Sequence, residues 1–163
     1  MISAPTILAI YIAPTAGKSM VALAAANLTV NGIQGDRYEC GSGAYSKTLP
    51  NKIRHVSLIA EAGITAANEW LLARNGQTFT ASQTRRNIVL SHLSADEVNQ
   101  LLGKTFFLGG TLLKGVELCT PCQRPAKLLN KSNFIDAFEN RGGLRAEILS
   151  AGPIRLGDTL IEC

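Results

Sequence analysis

The stretch CTPCQRP holds the residues of this sequence that are best suited to chemistry. Cys119 and Cys122 are three residues apart, Pro121 comes directly before the second cysteine, and Arg124 follows it closely. Two thiols at this spacing can form a disulfide, supply half of a zinc site, work as a redox couple, or leave one reactive sulfur beside a neighbour. A further interpretation gives both cysteines a role in packing alone, since free cysteines are often buried.

The rest of the sequence argues against several of these interpretations. A zinc site needs two further ligands at fitting spacing, whereas His55, His92 and Cys40 are isolated. A thioredoxin-like redox motif opens a helix early in a βαβ unit, but this pair lies late in a chain of predicted strands. Four cysteines among 163 residues also do not make a disulfide scaffold. A single reactive thiol is therefore the functional hypothesis, and packing remains its alternative.

A second stretch, APTAGKS at residues 13–19, resembles a phosphate-binding loop. That loop needs a glycine five positions before Gly17, and Ile12 is there instead. An apolar segment follows the stretch, with no well-marked helix that could present its N-terminus to a phosphate. We therefore expect an ordinary turn between two strands.

Composition places the chain among globular proteins. Of its 163 residues, 46% are hydrophobic and 17% are charged, so residues 1–163 are expected to form one domain with its own core. The net charge of +4 suits a small anionic ligand. Lysines and arginines are scattered and are not interleaved with aromatic residues, which argues against nucleic acid as a partner.

The N-terminal segment MISAPTILAIYIAPTAGKSM is the candidate for a targeting or membrane segment. It lacks a positively charged start, and two prolines interrupt it. Its apolar run is also too short to span a bilayer. We therefore expect a cytoplasmic protein with no membrane partner.

Short apolar runs separated by glycine turns predict many strands and few helices. Strands are expected at residues 5–13, 21–30, 54–59 and 85–90, in a hairpin at 104–119, and as a final pair within 143–163. Helices are expected at 61–76, at 93–103, where Ser94 and Glu97 form a capping box, and after the cysteines. Residues 32–52 are expected to form a long loop. This pattern predicts a closed or nearly closed β-barrel with a few short helices.

Five segments, taken in order, carry a resemblance to a known family. They are GIQGDRY, IRHVSLI, RRNIVL, LGKTFFLGGTLLKGVELCTPC and RGGLRAEILSAGPIRLGDTLIE. With these segments the chain resembles a stand-alone MOSC domain, the module named after the C-terminal part of molybdenum cofactor sulfurases. The resemblance implies a mainly β fold, a closed MOSC-type β-barrel with a few short helices. One departure is Tyr38, which stands where relatives often have histidine.

The resemblance also implies a ligand and the residues that hold it. The ligand is the molybdenum cofactor (molybdopterin), an anionic pterin dithiolene phosphate. Cys122 matches the family's cysteine and is expected to be the metal ligand and the catalytic residue. A soft thiolate suits molybdenum, arginine offers a planar fork to phosphate, and Asn or Asp matches the edge of a pterin. The residues expected to bind the cofactor are Arg86, Asn87, Arg37, Asp36, Arg54 and Arg124.

Three functions remain open from the sequence. The first is an oxidoreductase in which Cys122 holds molybdenum, a small N-oxygenated molecule is the substrate and a reductase is the partner. The second is a sulfur carrier in metal–sulfur cluster or cofactor biosynthesis, in which Cys122 takes persulfide sulfur from a pyridoxal-phosphate-dependent sulfurase. The third is a module that binds the cofactor without chemistry. Cofactor binding ranks first, because the basic balance and the arginines suit an anionic pterin.

Overall fold

The chain folds into short strands with a few helices, and a computed structural model describes residues 3–163. The strands are β1 (Thr6–Ile12), β2 (Val21–Leu23), β3 (Ala25–Thr29), β4 (Gly32–Ile33), β5 (Val56–Ala60), β6 (Ile88–Ser91), β7 (Thr105–Leu108), β8 (Thr111–Leu118), β9 (Leu144–Ser150), β10 (Gly152–Arg155) and β11 (Leu160–Glu162). The helices are α1 (Glu61–Leu72), α2 (Ala95–Asn99), α3 (Arg124–Leu129) and α4 (Phe134–Ala137), with a 3-10 turn at Ser82–Thr84. A mainly β fold with a few short helices is therefore confirmed.

The strands form two sheets that share one core. The larger sheet has the order β11–β7–β8–β9–β5–β6–β1–β2, and the smaller has the order β10–β3–β4. Within the larger sheet, β5 and β6 are parallel and are joined through α1, as a parallel connection requires. Leu28 and Ile154 of the smaller sheet are buried in the same apolar cluster as Leu58 and Leu113 of the larger one.

A second apolar cluster holds the helices on the other face of the larger sheet. Along β5, Leu58 belongs to the shared core and Ile59 to this second cluster, as the alternation of side chains along a strand dictates. Phe79, Phe134 and Phe138 fill it with ring centroids 4.6 to 5.9 Å apart. No helix within residues 3–163 is long and apolar enough to cross a membrane.

The expected closed barrel is wrong. Within residues 3–163 neither sheet closes on itself, and β11 and β2 are the edges of the larger one. The start of β1 approaches the edge strand β11, since a bridge joins Thr6 to Thr159 and Leu160 donates its N–H to the Pro5 carbonyl at 2.9 Å. The run at 21–30, expected as one strand, bends at Ala24 and sends β2 to one sheet and β3 to the other. Because the chain passes from the larger sheet to the smaller one within this run, strand pairing in the larger sheet ends at β2.

Element boundaries agree with the sequence where local chemistry sets them. The capping box of α2 is confirmed, with Glu97 N–H donating to Ser94 Oγ at 3.0 Å and Ser94 N–H donating to Glu97 Oε1 at 3.1 Å. The final segment holds three strands, β9, β10 and β11, where a pair was expected. β6 begins only at Ile88, so the three polar residues before it lie in a turn.

Two consecutive glycines let the chain before β9 lie directly against its neighbours. A Cβ on Gly143 would meet the carbonyl oxygen of Leu58, and the φ of Gly143 is +96°. A Cβ on Gly142 would meet the carbonyl oxygen of Cys119. Cys119 in turn donates its N–H to the Gly143 carbonyl at 2.8 Å. This close approach fixes the end of β8, where the cysteine pair begins.

We expect Gly143→Ala to lower the free energy of unfolding by roughly 2–4 kcal/mol, because the new methyl group overlaps a backbone carbonyl within the sheet. Gly157→Ala is the matched control, since Gly157 has a φ of +88° but open space around it. Backbone strain alone should lower the free energy of unfolding of this control by about 1 kcal/mol. Urea unfolding followed by circular dichroism measures both variants, and equal losses would contradict the close approach.

His55 ties the start of β5 to β9. Its Nδ1 accepts the Ile148 N–H at 3.1 Å. Burial lowers the pKa of His55 below its ordinary value of 6.5, against a smaller opposing effect of Glu147. Above that pH the imidazole is neutral in both states. As pH falls below it the unfolded chain takes up the proton first, so the folded state loses stability until pH passes the folded-state pKa.

We expect the wild-type protein to lose more unfolding free energy than His55→Asn between about pH 7.5 and about pH 5.5. The asparagine oxygen can accept the same backbone hydrogen bond and does not titrate. Urea unfolding at the two pH values gives the comparison. If both proteins lose the same amount, His55 is not the group responsible.

Candidate functional site: an arginine-lined cleft

A cleft opens where the ends of several strands meet the loop at residues 34–50. Six arginines line it, and none of its lining residues is Asp or Glu. The arginines are Arg37, Arg54, Arg85, Arg86, Arg124 and Arg145. Its volume is about 90 Å³. Pockets that enclose a drug-sized ligand have about 300 Å³ or more, so this cleft encloses a phosphate-sized group and leaves a larger ligand partly outside.

The structure brings most of the expected site residues to this one cleft. Those that line it are Cys122, Arg86, Asn87, Arg37, Arg54 and Arg124. Asp36 is the exception, because its side chain is fully buried behind Arg37 and does not line the cleft.

Asp36 holds Arg37 at the edge of the cleft. Its carboxylate accepts hydrogen bonds from the N–H groups of Ala13 at 3.0 Å and Tyr38 at 3.3 Å. Arg37 Nη1 lies 3.1 Å from Asp36 Oδ1, and Arg37 Nη2 donates to the Arg85 carbonyl at 3.4 Å. Asp36 therefore orients Arg37 and offsets its charge.

The turn before β6 places two neighbouring arginines at the cleft. Arg85 follows the 3-10 turn with a left-handed φ of 63°, and its Nη1 donates to the Lys18 carbonyl at 2.7 Å. Arg86 Nε donates to the Gly142 carbonyl at 2.6 Å. The left-handed residue reverses the chain, so the two arginines are anchored on different sides of the cleft.

The side chain of Asn87 mainly holds neighbouring strands together and contributes less to the cleft. Its Oδ1 accepts from the N–H of Ser57 at 3.0 Å and from the Ser57 hydroxyl at 3.1 Å, and its Nδ2 donates to the Tyr11 carbonyl at 3.0 Å. The residue is 4% exposed. An amide has two N–H donors, so one Nδ2 hydrogen remains for a ligand.

Arg85 carries an unused donor in a crowded positive environment. Its Nη2 is buried and has no hydrogen-bond partner within residues 3–163. Burial, together with the nearby charges of Arg37 and Arg124, lowers the pKa of Arg85 to about 10. Leaving a buried donor unpaired is costly, and an anion in the cleft would both accept its hydrogen bond and offset the repulsion.

The two cysteines differ in accessibility. Cys119, at the end of β8, is 4% exposed, whereas Cys122 is exposed, and both are free thiols that line the cleft. α3 begins at Arg124, which brings its side chain to the same opening. Cys122 is thus the cleft thiol that a ligand or a partner can reach.

No protein metal site surrounds this thiol. Within the described part of the chain, residues 3–163, no group of three or more His, Cys, Asp or Glu side chains could hold a metal ion. A metal bound by Cys122 would therefore need other ligands from a cofactor or from solvent.

Arg54 stands beside two tyrosine rings. Its guanidinium carbon lies 4.9 Å from the ring centroid of Tyr45 and 6.0 Å from that of Tyr38. Arg37 lies 5.0 Å from the Tyr38 centroid. Tyr38 therefore contacts two arginines through its ring, which attracts cations at such distances.

Arg145 is partly neutralised. Its Nη1 lies 2.9 Å from Glu117 Oε2, and Lys52 Nζ lies 2.9 Å from Glu117 Oε1. The hydrogen bond from Lys52, with the charge of Arg145, lowers the pKa of Glu117. Arg145 consequently adds less free positive charge to the cleft than Arg85 does.

Sequence reasoning missed the turn between β1 and β2 as part of the site. The stretch at residues 13–19 is a turn between strands, as expected, but it borders the arginines. The position of a Cβ on Gly17 would be 3.8 Å from Arg124 Nη2, and the Lys18 carbonyl accepts from Arg85. Its glycine and lysine were visible in the sequence, while its location depends on how the sheet folds.

Arg85 and Arg145 were also missed. The doublet Arg85–Arg86 was a visible signal, but the left-handed turn at Arg85, whose Nη2 is buried, was not. Arg145 lies within a predicted strand, and the sequence does not say which face of that strand meets the cleft.

The comparisons with known proteins agree with this architecture. The YuaD protein from Bacillus subtilis has a TM-score of 0.76 and 17% identity over 97% of this chain and 94% of that one. YiiM from Geobacillus stearothermophilus has a TM-score of 0.68 and 17% identity, covering 98% of this chain and 75% of that one. YiiM from Escherichia coli has a TM-score of 0.66 and 18% identity, covering 97% and 69%. At these identities the likeness shows a shared fold.

The sequence comparisons give a family and no individual relative. A search of curated proteins found no significant match. The model of the MOSC domain, in contrast, matches residues 47–161, which include the cleft cysteines and five of its six arginines. Since this match spans well over half of the sequence, the chain belongs to the MOSC domain family.

Proposed function

We propose that this protein binds the molybdenum cofactor in the arginine-lined cleft, with Cys122 as the protein ligand of the metal. The observation that carries the proposal is the pairing, in one cleft, of the exposed free thiol of Cys122 with the buried unpaired donor of Arg85. A phosphate suits the arginine and a soft metal suits the thiolate. Molybdopterin offers both groups in one molecule.

The phosphate of the cofactor would lie between Arg85 and Arg124. Arg85 Nη2 has a hydrogen to donate, and the charge of Arg124 is close enough to lower the pKa of Arg85. Gly17 lies beside Arg124 and leaves room at the edge of this position. The cleft volume of about 90 Å³ suits such a group, with the pterin extending towards the opening.

The other expected site residues would position this arrangement. Asp36 sets the orientation of Arg37 from behind and does not touch the cofactor in this proposal. Arg86 donates from Nε to the Gly142 carbonyl and from Nη1 to the Thr84 carbonyl at 3.5 Å, which leaves Nη2 for the ligand. Asn87 can offer one amide hydrogen to the pterin edge.

The bound cofactor would supply two-electron oxygen-atom transfer, which fits the reduction of small N-oxygenated molecules with electrons from a reductase partner. The contribution of this chain is binding and orientation. The arginines fix the anionic end, and Cys122 fixes the metal near the opening, where a substrate can enter. This exposure of Cys122 favours an open site over an enclosed one.

The exposure of Cys122 also supports a second candidate, a sulfur carrier. Cys122 lies in the stretch 119–123, which has no helix or strand, so a partner can approach it. Its thiolate would attack the outer sulfur of a persulfide on a pyridoxal-phosphate-dependent sulfurase. The partner's thiolate would leave, and Cys122 would carry the transferred sulfur.

We also propose that residues 1–163 act as one domain in the cytoplasm. Ile7 and Leu160, from opposite ends of the chain, are buried in the same cluster. The cysteines at 40, 119, 122 and 163 are all free thiols, which suits a reducing compartment.

In a molybdenum-replete host we expect the purified wild-type protein to carry near-stoichiometric molybdenum and pterin. Cys122→Ala should lose the metal, because it removes the exposed sulfur ligand. Cys119→Ala should keep it, and Cys40→Ala is the control for an exposed cysteine outside the cleft. Elemental analysis and the fluorescence of oxidised pterin make the measurement.

The same preparations separate the two candidates. Absence of pterin from the wild type, with an added sulfur on Cys122 by mass spectrometry, favours the carrier and rejects the cofactor-binding proposal. Loss of folding in Cys122→Ala, with no metal or sulfur on the wild type, returns the cysteine to a packing role.

We expect inorganic phosphate to raise the melting temperature of the wild-type protein above its value in chloride at equal ionic strength, because a ligand of the native state stabilises it. Arg85→Met should lose this rise. In chloride the variant should melt no lower than the wild type, since it removes a half-buried charge crowded by two others.

The control is Arg155→Met, because the Arg155 side chain is 81% exposed and does not line the cleft. It should keep the phosphate-dependent rise. A rise in Arg85→Met as large as in the wild type would contradict an anion site at Arg85.

A further inference from the structure

A second cavity adjoins the arginine-lined cleft and has no part in the function proposed above. It has a volume of about 190 Å³ and shares Tyr38, Tyr45 and Arg54 with the cleft. We call it the side pocket. Its other polar lining residues are Asn31, Ser46, Asn51, Lys52 and His55.

The side pocket offers hydrogen-bond donors without partners. Ser46 Oγ is buried and has no hydrogen-bond partner within residues 3–163. His55 Nδ1 accepts the Ile148 N–H, so in the neutral ring the proton is on Nε2, which remains a donor. The ring is neutral at pH 7, because burial lowers the pKa of His55. These groups suit a ligand that brings acceptors.

The charge of the side pocket points to an anionic acceptor. No Asp or Glu lines it. Arg54 contacts the rings of Tyr38 and Tyr45 and has no carboxylate partner within the described part of the chain. Lys52 is paired with Glu117, so Arg54 supplies the uncompensated charge. A single free guanidinium with neutral donors matches a monoanionic carboxylate better than a dianionic phosphate.

The rings of Tyr38 and Tyr45 favour a planar ligand. Tyr45 is 38% exposed and Tyr38 is half-buried, and both belong to the cleft and to the side pocket. A flat molecule can lie along these rings with its two ends in the two cavities. The cleft is too small to enclose a large ligand, so such a molecule must use neighbouring space.

We propose that the side pocket binds the carboxylate of the substrate, a small planar molecule, through Arg54, Ser46 and His55, while the other end of that molecule reaches Cys122. The proposal rests on the proposed function where it calls this molecule the substrate. It also assigns Arg54 to the substrate, where the family resemblance gave it to the cofactor.

Benzoate is a suitable probe, because it places a carboxylate on a flat ring. We expect saturable shifts in the amide NMR signals around Ser46 and His55 when benzoate is added to the full ¹⁵N-labelled chain. Benzamide, the neutral counterpart, should bind at least about tenfold more weakly, since it loses the charged hydrogen bonds to Arg54.

Two variants test the residues. Arg54→Gln should weaken benzoate binding about tenfold by the same argument, and Arg155→Gln is its matched control on the exposed surface. Ser46→Ala should weaken binding severalfold without lowering the urea unfolding midpoint, because the hydroxyl has no partner in the protein to lose. Ser46→Ala thus keeps the test valid even where Arg54→Gln folds poorly.

Several results would overturn the proposal. They are the absence of saturable binding, equal binding of benzamide and benzoate, unchanged affinity in Ser46→Ala, or shifts centred on Arg85 and Arg124. The molybdenum content of each preparation is measured alongside, which separates this result from molybdenum loading. If benzoate does not bind but the molybdenum content is normal, only the side-pocket proposal is rejected. If benzoate binds but molybdenum and pterin are absent, only the cofactor proposal is rejected.

Discussion

The buried carboxylate of Asp36 is the interaction on which the cleft depends. It joins two parts of the chain, because it accepts from Ala13 just after β1 and from Arg37 and Tyr38 in the long loop. A buried carboxylate is stable only with such partners. The end of β1 and the loop therefore have to meet at Asp36, and this meeting brings both the turn at 13–19 and Tyr38 close to arginines of the cleft.

Around this anchor the fold assembles more positive charge than it neutralises. Asp36 offsets Arg37, and Glu117 is shared between Arg145 and Lys52. Arg85 forms no ion pair with a carboxylate within residues 3–163, and its lowered pKa reflects both burial and its cationic neighbours. Unfavourable local electrostatics of this kind are typical of sites that wait for a ligand of opposite charge. The same groups that lower stability without a ligand would become the strongest contacts of a bound anion.

The sequence predicted what local chemistry determines. The capping box at Ser94 needs only residues three apart, and the strand segments follow from apolar runs and glycine turns. The open sheet was not predictable. The bend at Ala24, which divides the run at 21–30, depends on how the two sheets pack rather than on local sequence. The inward turn of Arg85 requires a left-handed residue that no pattern marks. The family resemblance supplied the candidate residues, but the buried place of Asp36 needed the structure. Their roles stay predictions.

The cleft draws its residues from distant parts of the chain, and this affects the kinetics of folding. Arg37, Arg85, Arg124 and Arg145 meet only after β5, β6, β8 and β9 have paired. Contacts between residues far apart in the sequence form late in folding, because the chain must lose loop entropy before they can form. An anion held by these arginines would act mainly on the finished structure. It would slow unfolding and leave the folding rate nearly unchanged, so that a loaded protein gains lifetime without folding any faster.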